Sequence, residues 1–318
     1  MVKGIGMELR GKTILMSGAS GLIGTSLFRA FSERKMRVIR LVRRRPEGTG
    51  EVFWNPEASE PADDLQALEN ADAAIHLSGA NLFSERWTAA YKREIVESRV
   101  GTTRAIVNLL KKSKKPPQVL LCASAIGIYG DCEDEILTES SSPGQGFLAD
   151  TCRAWESEAT RAAEGGIRVA SLRFGVVLSR EGGALKKMLP VFRAGLGGRL
   201  GSGRQWMSWI AVSDLVRAVL HVLETDSLRG PVNMVAPIPV TNTDFTRALG
   251  RALRRPAFLP APAFALRMVL GEVADDALLA STRVVPARLA ASGFHFDLPE
   301  INSSLRTLLG PSARLNVE

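Results

Sequence analysis

Tyrosine is the scarcest informative residue in this sequence: the 318 residues contain two, Tyr91 and Tyr129, and aromatic residues make up only 6%. Cysteine and histidine are nearly as rare, with three of each. Cys122, Cys132 and Cys152 form no CxxC pair and accompany no histidine cluster. That pattern argues against a metal site and a disulfide framework, and it fits a reducing, cytoplasmic setting. No run reaches the roughly 18 apolar residues that a membrane-crossing helix needs. The most apolar late stretch, Pro256 to Leu266, is broken by Pro256, Pro260 and Pro262. The opening MVKGIGMELRGK lacks the apolar centre of a signal peptide, and the residues before Met7 read as a leader. What remains, at 45% hydrophobic and 23% charged without repeats, is ordinary globular composition.

The formal net charge of +8 is concentrated. Between Arg29 and Arg45 eight basic residues face one acid, Glu33, and a shorter basic run covers Lys111, Lys112, Lys114 and Lys115. Nucleic-acid binding needs cations spread over a face to neutralise many phosphates. One dense segment points instead to a small anionic ligand or a solvated surface, and no nucleic-acid partner is expected.

Residues 12–17 end in the apolar run TILMS, which suits a parallel strand buried on both faces. It leads directly into GASGLIG, with glycines at Gly18, Gly21 and Gly24, and then into a helical pattern, Leu27, Phe28, Ala30, Phe31. A strand, a glycine turn, a helix and a second strand at Val38 to Val42 form a βαβ unit of the dinucleotide-binding kind. Its turn, Gly18 and Ser20 to Gly24 (Ser20, Gly21, Leu22, Ile23), would bring backbone N–H groups and a helix N-terminus to a pyrophosphate. After the second strand, an NAD site would place an acid for the ribose 2′-hydroxyl. This chain has Arg43, Arg44 and Arg45. A guanidinium matches a phosphate bidentately, so NADP(H) is the expected cofactor, with Arg43 and Arg44 on its 2′-phosphate.

Residues 73–77 read as the next parallel strand and end in small residues, Ser78 and Gly79, suited to close approach by a ligand. His76 within it reads as a core histidine. Trp87 to Leu110 reads as one long helix carrying Glu94, Ser98 and Arg99 near one face, either as a surface ion-pair cluster or as a lining of the cofactor cleft. Val119 to Ala123 is a further strand, running into SAIGIYG at 124–130.

The glycine turn, SAIGIYG and WIAVSDL at 209–215 together resemble the extended short-chain dehydrogenase/reductase superfamily, in its nucleotide-sugar epimerase-like branch. HLSGAN (76–81), FLADTCRAWE (147–156), RFGVVLS (173–179) and the late VAPIPVTNTDF and VVPARL narrow the resemblance to an atypical epimerase-family subgroup with a conserved C-terminal extension. It spans essentially the whole chain. It implies Leu77, Ser78 and Gly79 at the adenosine side, Glu94 and Arg99 approaching the cofactor from the long helix, and Val177 near the nicotinamide.

Typical members of that superfamily use a serine, a tyrosine and a lysine four residues later, because a phenol needs an adjacent cation to exchange protons near neutral pH. Here the fourth residue after Tyr91 is Ile95 and after Tyr129 is Glu133, so YxxxK does not occur. Counting back from Glu156 along the resemblance puts Cys152 at the lysine place and Leu148 at the tyrosine place. Ser124 alone remains. Three accounts follow: hydride transfer with Ser124, Tyr129 or a second-lobe residue supplying the proton; NADP(H) binding without chemistry, as a sensor or regulatory protein; or Cys152 as a nucleophile.

Beyond Val177 the sequence turns glycine-rich and basic, with Lys186, Lys187, Arg193, Arg199 and Arg204. This segment could cradle a second anion or form a lid. Lys187, Trp206 and Trp209 are the candidate substrate contacts. Ser213 reads as a helix cap with Asp214 in the first turn. The expected fold is α/β, a doubly wound parallel (Rossmann) sheet with a smaller C-terminal substrate lobe. Residues 1–177, with a return near 207–235, would bind NADP(H), and 178–318 would form mainly the lobe and the extension. The expected activity is that of an NADP-dependent oxidoreductase or epimerase-like enzyme with a non-standard active site, acting on a small molecule. Monomer and homodimer stay equally open.

Overall fold

The computed structural model describes residues 9–58 and 69–310. The leader reading concerns residues outside that range.

The strands are β1 (Thr13–Ser17), β2 (Arg37–Val42), β3 (Glu51–Phe53), β4 (Ala73–His76), β5 (Val119–Ala125), β6 (Ile136–Leu137), β7 (Arg168–Phe174), β8 (Val176–Leu178), β9 (Trp206–Met207), β10 (Trp209–Ala211), β11 (Gly230–Met234), β12 (Val240–Thr241) and β13 (Arg283–Val284). Seven form one parallel sheet in the order β11-β7-β5-β4-β1-β2-β3. The chain builds outward from β1 to β3, then returns to lay β4 against the other side of β1. That reversal opens a crevice beyond the carboxyl ends of β1 and β4.

Ten helices pack around it: α1 (Leu22–Glu33), α2 (Ala89–Glu97), α3 (Val100–Lys112), α4 (Phe147–Thr160), α5 (Gly183–Arg193), α6 (Val212–Glu224), α7 (Asn242–Leu253), α8 (Ala263–Leu270), α9 (Ala287–Ala291) and α10 (Ile301–Leu309) among the described residues. Both faces of the sheet are covered. Ile14, Met16, Ile75 and Leu121 pack with α1 and α6, whereas Leu15, Ala74, Leu120 and Cys122 pack with α3 and Trp155. This is why the strands are nearly continuous apolar runs. A third core, around Leu185, Trp209, Phe245 and Leu305, holds α5, α7 and α10 together.

Two local expectations are corrected. The helix expected over Trp87 to Leu110 is two helices, α2 and α3, broken at Ser98 and Arg99. Ser98 Oγ accepts from Ala80 N at 2.9 Å and Arg99 Nη2 donates to Ala80 O at 2.9 Å. The junction is therefore tied to the segment after β4. Ser213 does not cap α6, whose first residue is Val212 and whose extended preceding residue, Ala211, supplies no side-chain cap. Asp214 does stand in the first turn, but it is fully buried. Its carboxylate accepts from Asp297 N at 3.1 Å and Leu298 N at 2.8 Å, anchoring the late chain to α6.

Candidate active site

The turn between β1 and α1 has a shape only glycine permits. Gly18 has φ +70°, and a Cβ there would stand 2.6 Å from the carbonyl carbon of Leu77. A Cβ on Gly24 would meet Gly18 O at 2.3 Å, so α1 can seat against the turn only without a side chain there. Gly21 differs: its Cβ would have one neighbour, Gly18 O at 3.5 Å, which leaves the middle of the turn open. Gly21 precedes the first turn of α1 with no side-chain cap, so those N–H groups are left for a ligand or water.

These residues border a cleft of about 560 Å³. Gly18, Gly21, Leu22, Ile23, Gly24, Leu77, Ser78, Gly79, Arg99 and Val177 all line it, so most of the expected cofactor set converges. Ser20 is exposed at the tip of the turn. Glu94 is exposed and does not line the cleft, because the buried face of α2 is set by Tyr91 and Ile95. Arg43 and Arg44 follow β2, both exposed and outside the cleft lining. Arg44 is bound at both terminal nitrogens by the carboxylate of Glu51, at 2.9 and 2.8 Å. Arg40 also reaches Glu51, at 3.0 Å. The backbone N–H of Glu47 holds the Glu51 carboxyl below its ordinary pKa, with both arginines adding to the effect against burial.

Deeper in the cleft, Ser124 Oγ donates to Glu156 Oε1 at 2.6 Å. The same carboxylate is gripped by Arg173, Nε to Oε1 and Nη2 to Oε2, each at 2.8 Å. The third guanidinium nitrogen, Nη1, donates to the Tyr129 hydroxyl at 2.8 Å, which lies 2.8 Å from Asn233 Oδ1. Burial alone lowers the pKa of Arg173, yet hydrogen bonding and charge from Glu156 raise it overall. The cation is permanent.

This network corrects the candidacy of Tyr129 as a proton donor. Its side chain is fully buried, its hydroxyl is committed to Arg173 and Asn233, burial raises its pKa, and it does not line the cleft. Trp209 is likewise corrected: it is fully buried in the third core, with Nε1 donating to Ile238 O at 3.1 Å. Trp206 does line the cleft. Lys187 stands outside it, its Nζ 6.0 Å from the ring centre of the lining residue Phe83. The basic, glycine-rich segment does not cradle an anion in the cleft. Lys186, Lys187, Arg193, Arg199 and Arg204 are all exposed, and none lines it. Several of its glycines instead serve close packing; a Cβ on Gly198 would lie 1.7 Å from Leu259 O.

Cys152 and Leu148 both border the cleft. Burial pushes the Cys152 thiol up to about 11, so it lacks, near neutral pH, the thiolate that the nucleophile account needs. His76, between Ser17 Oγ (2.6 Å) and Thr102 Oγ1 (3.2 Å), is a core residue that burial lowers to about 3. Among the described residues no group of three or more His, Cys, Asp or Glu could hold a metal, and no helix is long and apolar enough to cross a membrane. Sequence reasoning missed Arg173, quoted only within RFGVVLS, and Asp276, which lines the cleft from a π-helical turn at Ala274–Leu279. No periodicity marked either.

A parallel sheet reversing at β1 and β4, with a glycine turn at that crevice and a serine at the carboxyl end of β5, defines a dinucleotide-binding α/β protein of the short-chain dehydrogenase/reductase type. The NAD dependent epimerase/dehydratase family model matches residues 14–235, and a domain of unknown function, DUF1731, matches 261–308. The chain belongs to the NAD dependent epimerase/dehydratase family. It is 42% identical over 292 residues to Epimerase family protein Mb2239 of Mycobacterium bovis, covering 92% of this chain and 96% of that one. The crystal structure of human epimerase family protein SDR39U1 (isoform 2) with NADPH superposes with a TM-score of 0.86 at 32% identity, covering 93% of this chain and 99% of that one. A nucleoside-diphosphate sugar epimerase from Corynebacterium glutamicum gives a TM-score of 0.77 at 35% identity, covering 94% and 58% respectively.

Proposed function

We propose that the protein is an NADP(H)-binding oxidoreductase of the extended short-chain dehydrogenase/reductase type, working on a small molecule without the tyrosine and lysine of that superfamily. The observation that carries the reading is the cleft itself: the open glycine turn, the uncapped N-terminus of α1, Leu77 to Gly79 and Val177 border one space. The human relative solved with NADPH supports it. Gly18 to Gly24 would hold the pyrophosphate, and Arg99, tied to Ala80 O and Ile95 O, lies on the same side. Arg43 is the better candidate for the 2′-phosphate, since the fork of Arg44 is already engaged by Glu51. Arg44 and Arg40 then serve as a positive background held on Glu51.

A bound nicotinamide supplies the means to give or take a hydride. The chain must supply everything else. Ser124 spends its proton on Glu156, so it offers lone pairs to the cleft and is arranged to accept a hydrogen bond from a substrate hydroxyl. Arg173 grips both oxygens of Glu156 and fixes its position, which keeps Ser124 in that role. Leu148, at the tyrosine place, contributes shape and no proton.

The cofactor reading is tested by titrating NADPH and NADH by nicotinamide fluorescence. Arg43→Asp is expected to weaken NADPH by roughly 10- to 100-fold, through loss of one charge-assisted phosphate contact and gain of repulsion, with little effect on NADH. Equal weakening of both nucleotides, or of neither, would remove Arg43 from the site. Absence of NADPH consumption across a carbonyl panel, with tight binding retained, would favour the sensor account.

A further inference from the structure

The ionisable groups bordering the cleft are few among the described residues: Arg99, Cys152 and Asp276. Arg99 is held by backbone carbonyls on the cofactor side, beside Gly79, whose Cβ would lie 3.3 Å from its Cζ. The side furnished by the later chain and the loop after β4 has no lysine or arginine in its lining. It is walled by Leu82, Phe83, Leu148, Met188, Leu200 and Trp206. The cations on its aromatic walls do not line the cleft: exposed Lys187 lies against Phe83, and half-buried Arg283 stacks 4.2 Å from the centre of the Trp206 ring. A pyrophosphate needs paired cations or a run of free N–H groups; this side has no cationic pair, and the uncapped N-terminus of α5, whose Gly183 and Ala184 reach the cleft, abuts Leu22 on the cofactor side.

We propose that this half of the cleft takes an uncharged, mainly apolar small molecule bearing a carbonyl or hydroxyl oxygen, which hydrogen-bonds to Asp276, and that it does not take a nucleoside-diphosphate sugar. The inference rests on the cofactor reading above for the identity of the other half. Asp276 is half-buried, with no ion pair or hydrogen bond of its carboxylate among the described residues, whereas its neighbours are paired: Asp275 with Arg267, and Glu272 with Lys92 of α2. Ala277, next in the chain, packs on the same cluster of Trp87, Tyr91, Ile95 and Val273 as Leu148. Asp276 and Leu148, which stands at the tyrosine place without a hydroxyl, line the same cleft. Burial raises its pKa above the ordinary carboxylate range; Lys92 opposes this, and Glu272 and Asp275 add to it. The protonated carboxyl donates to a carbonyl oxygen, and raising its pKa extends that form to higher pH than for a free aspartate.

The test uses the full chain saturated with NADPH, with acetophenone and UDP-glucose as probes in saturation-transfer NMR and calorimetry. Acetophenone is expected to bind and UDP-glucose not to. Acetophenone binding should weaken roughly 3- to 10-fold as pH rises through the titration of the Asp276 carboxyl, the loss of one hydrogen bond. Asp276→Asn, which keeps a donor at every pH, should flatten that dependence. Ala277→Trp, filling the cleft, should abolish the acetophenone signal while leaving the NADPH titration unchanged. UDP-glucose binding to the saturated protein overturns the proposal. So does an acetophenone signal that is absent, that survives Ala277→Trp, or whose pH dependence is unchanged in Asp276→Asn. If NADPH itself does not bind, the cofactor reading falls on its own, and the same two probes on the ligand-free chain still decide the class of ligand.

Discussion

Removing the cation from the buried network should reveal how much of the site's order depends on one residue. Arg173 has a side-chain exposure of 6% and its partner Glu156 one of 14%. Arg173→Met leaves the Glu156 carboxylate with Ser124 as its one remaining side-chain donor among the described residues and takes the donor away from the Tyr129 oxygen. Breaking a buried pair from one side costs about 3–5 kcal/mol, because a desolvated charge is left uncompensated. For 318 residues the unfolding entropy is about 0.7 kcal/mol/K, so the melting temperature should fall by roughly 4–7 °C. Calorimetry and urea unfolding of Arg173→Met, Glu156→Gln and the double variant measure this. The double variant should recover much of the loss, since two neutral groups at a buried site no longer carry an unpaired charge. A loss below about 1 kcal/mol in Arg173→Met, or additive losses in the double variant, would refute the argument that the pair is effectively buried and coupled.

Two further expectations concern protonation. Burial pushes the Cys122 and Cys152 thiols up to about 12 and about 11, and Cys132 is raised less and lies nearer the surface. A disulfide reagent at about pH 8 should therefore modify Cys132 first in the native protein, as read by peptide mass spectrometry; rapid modification of Cys152 would restore the nucleophile account. His76, lowered to about 3 by burial, is neutral when folded and charged in the unfolded chain below its ordinary 6.5. Its contribution to stability is complete above 6.5 and is lost as pH falls toward 3, by up to about 1.4 kcal/mol per unit. Urea midpoints measured against pH should show that acid slope in the native chain and a shallower one in His76→Gln.

Much of the fold was legible in the sequence because its signals are local. TILMS, the glycine turn and the strand at Val38 are neighbours in the chain, and a buried parallel strand has to be apolar on both faces. Small residues at the end of β4 marked Ser78 and Gly79 for the same reason, whereas Ser124 was marked by the family resemblance. The break between α2 and α3 was not legible, since it depends on Ala80, a residue from another segment, meeting Ser98 and Arg99. Nor was the burial of Trp209, whose sequence neighbour Trp206 faces the cleft.

The sequence by itself determined the dinucleotide-binding fold, the arginines after β2 and the loss of YxxxK, because backbone turns and strand periodicity are written in consecutive residues. Only the tertiary structure decided which polar groups share a space. It drew Tyr129 into a buried network with Arg173, turned the basic segment outward, and brought Asp276 into the cleft from more than a hundred residues beyond Leu148. Burial and proximity set the state of a titratable group, and both arise from packing between distant segments.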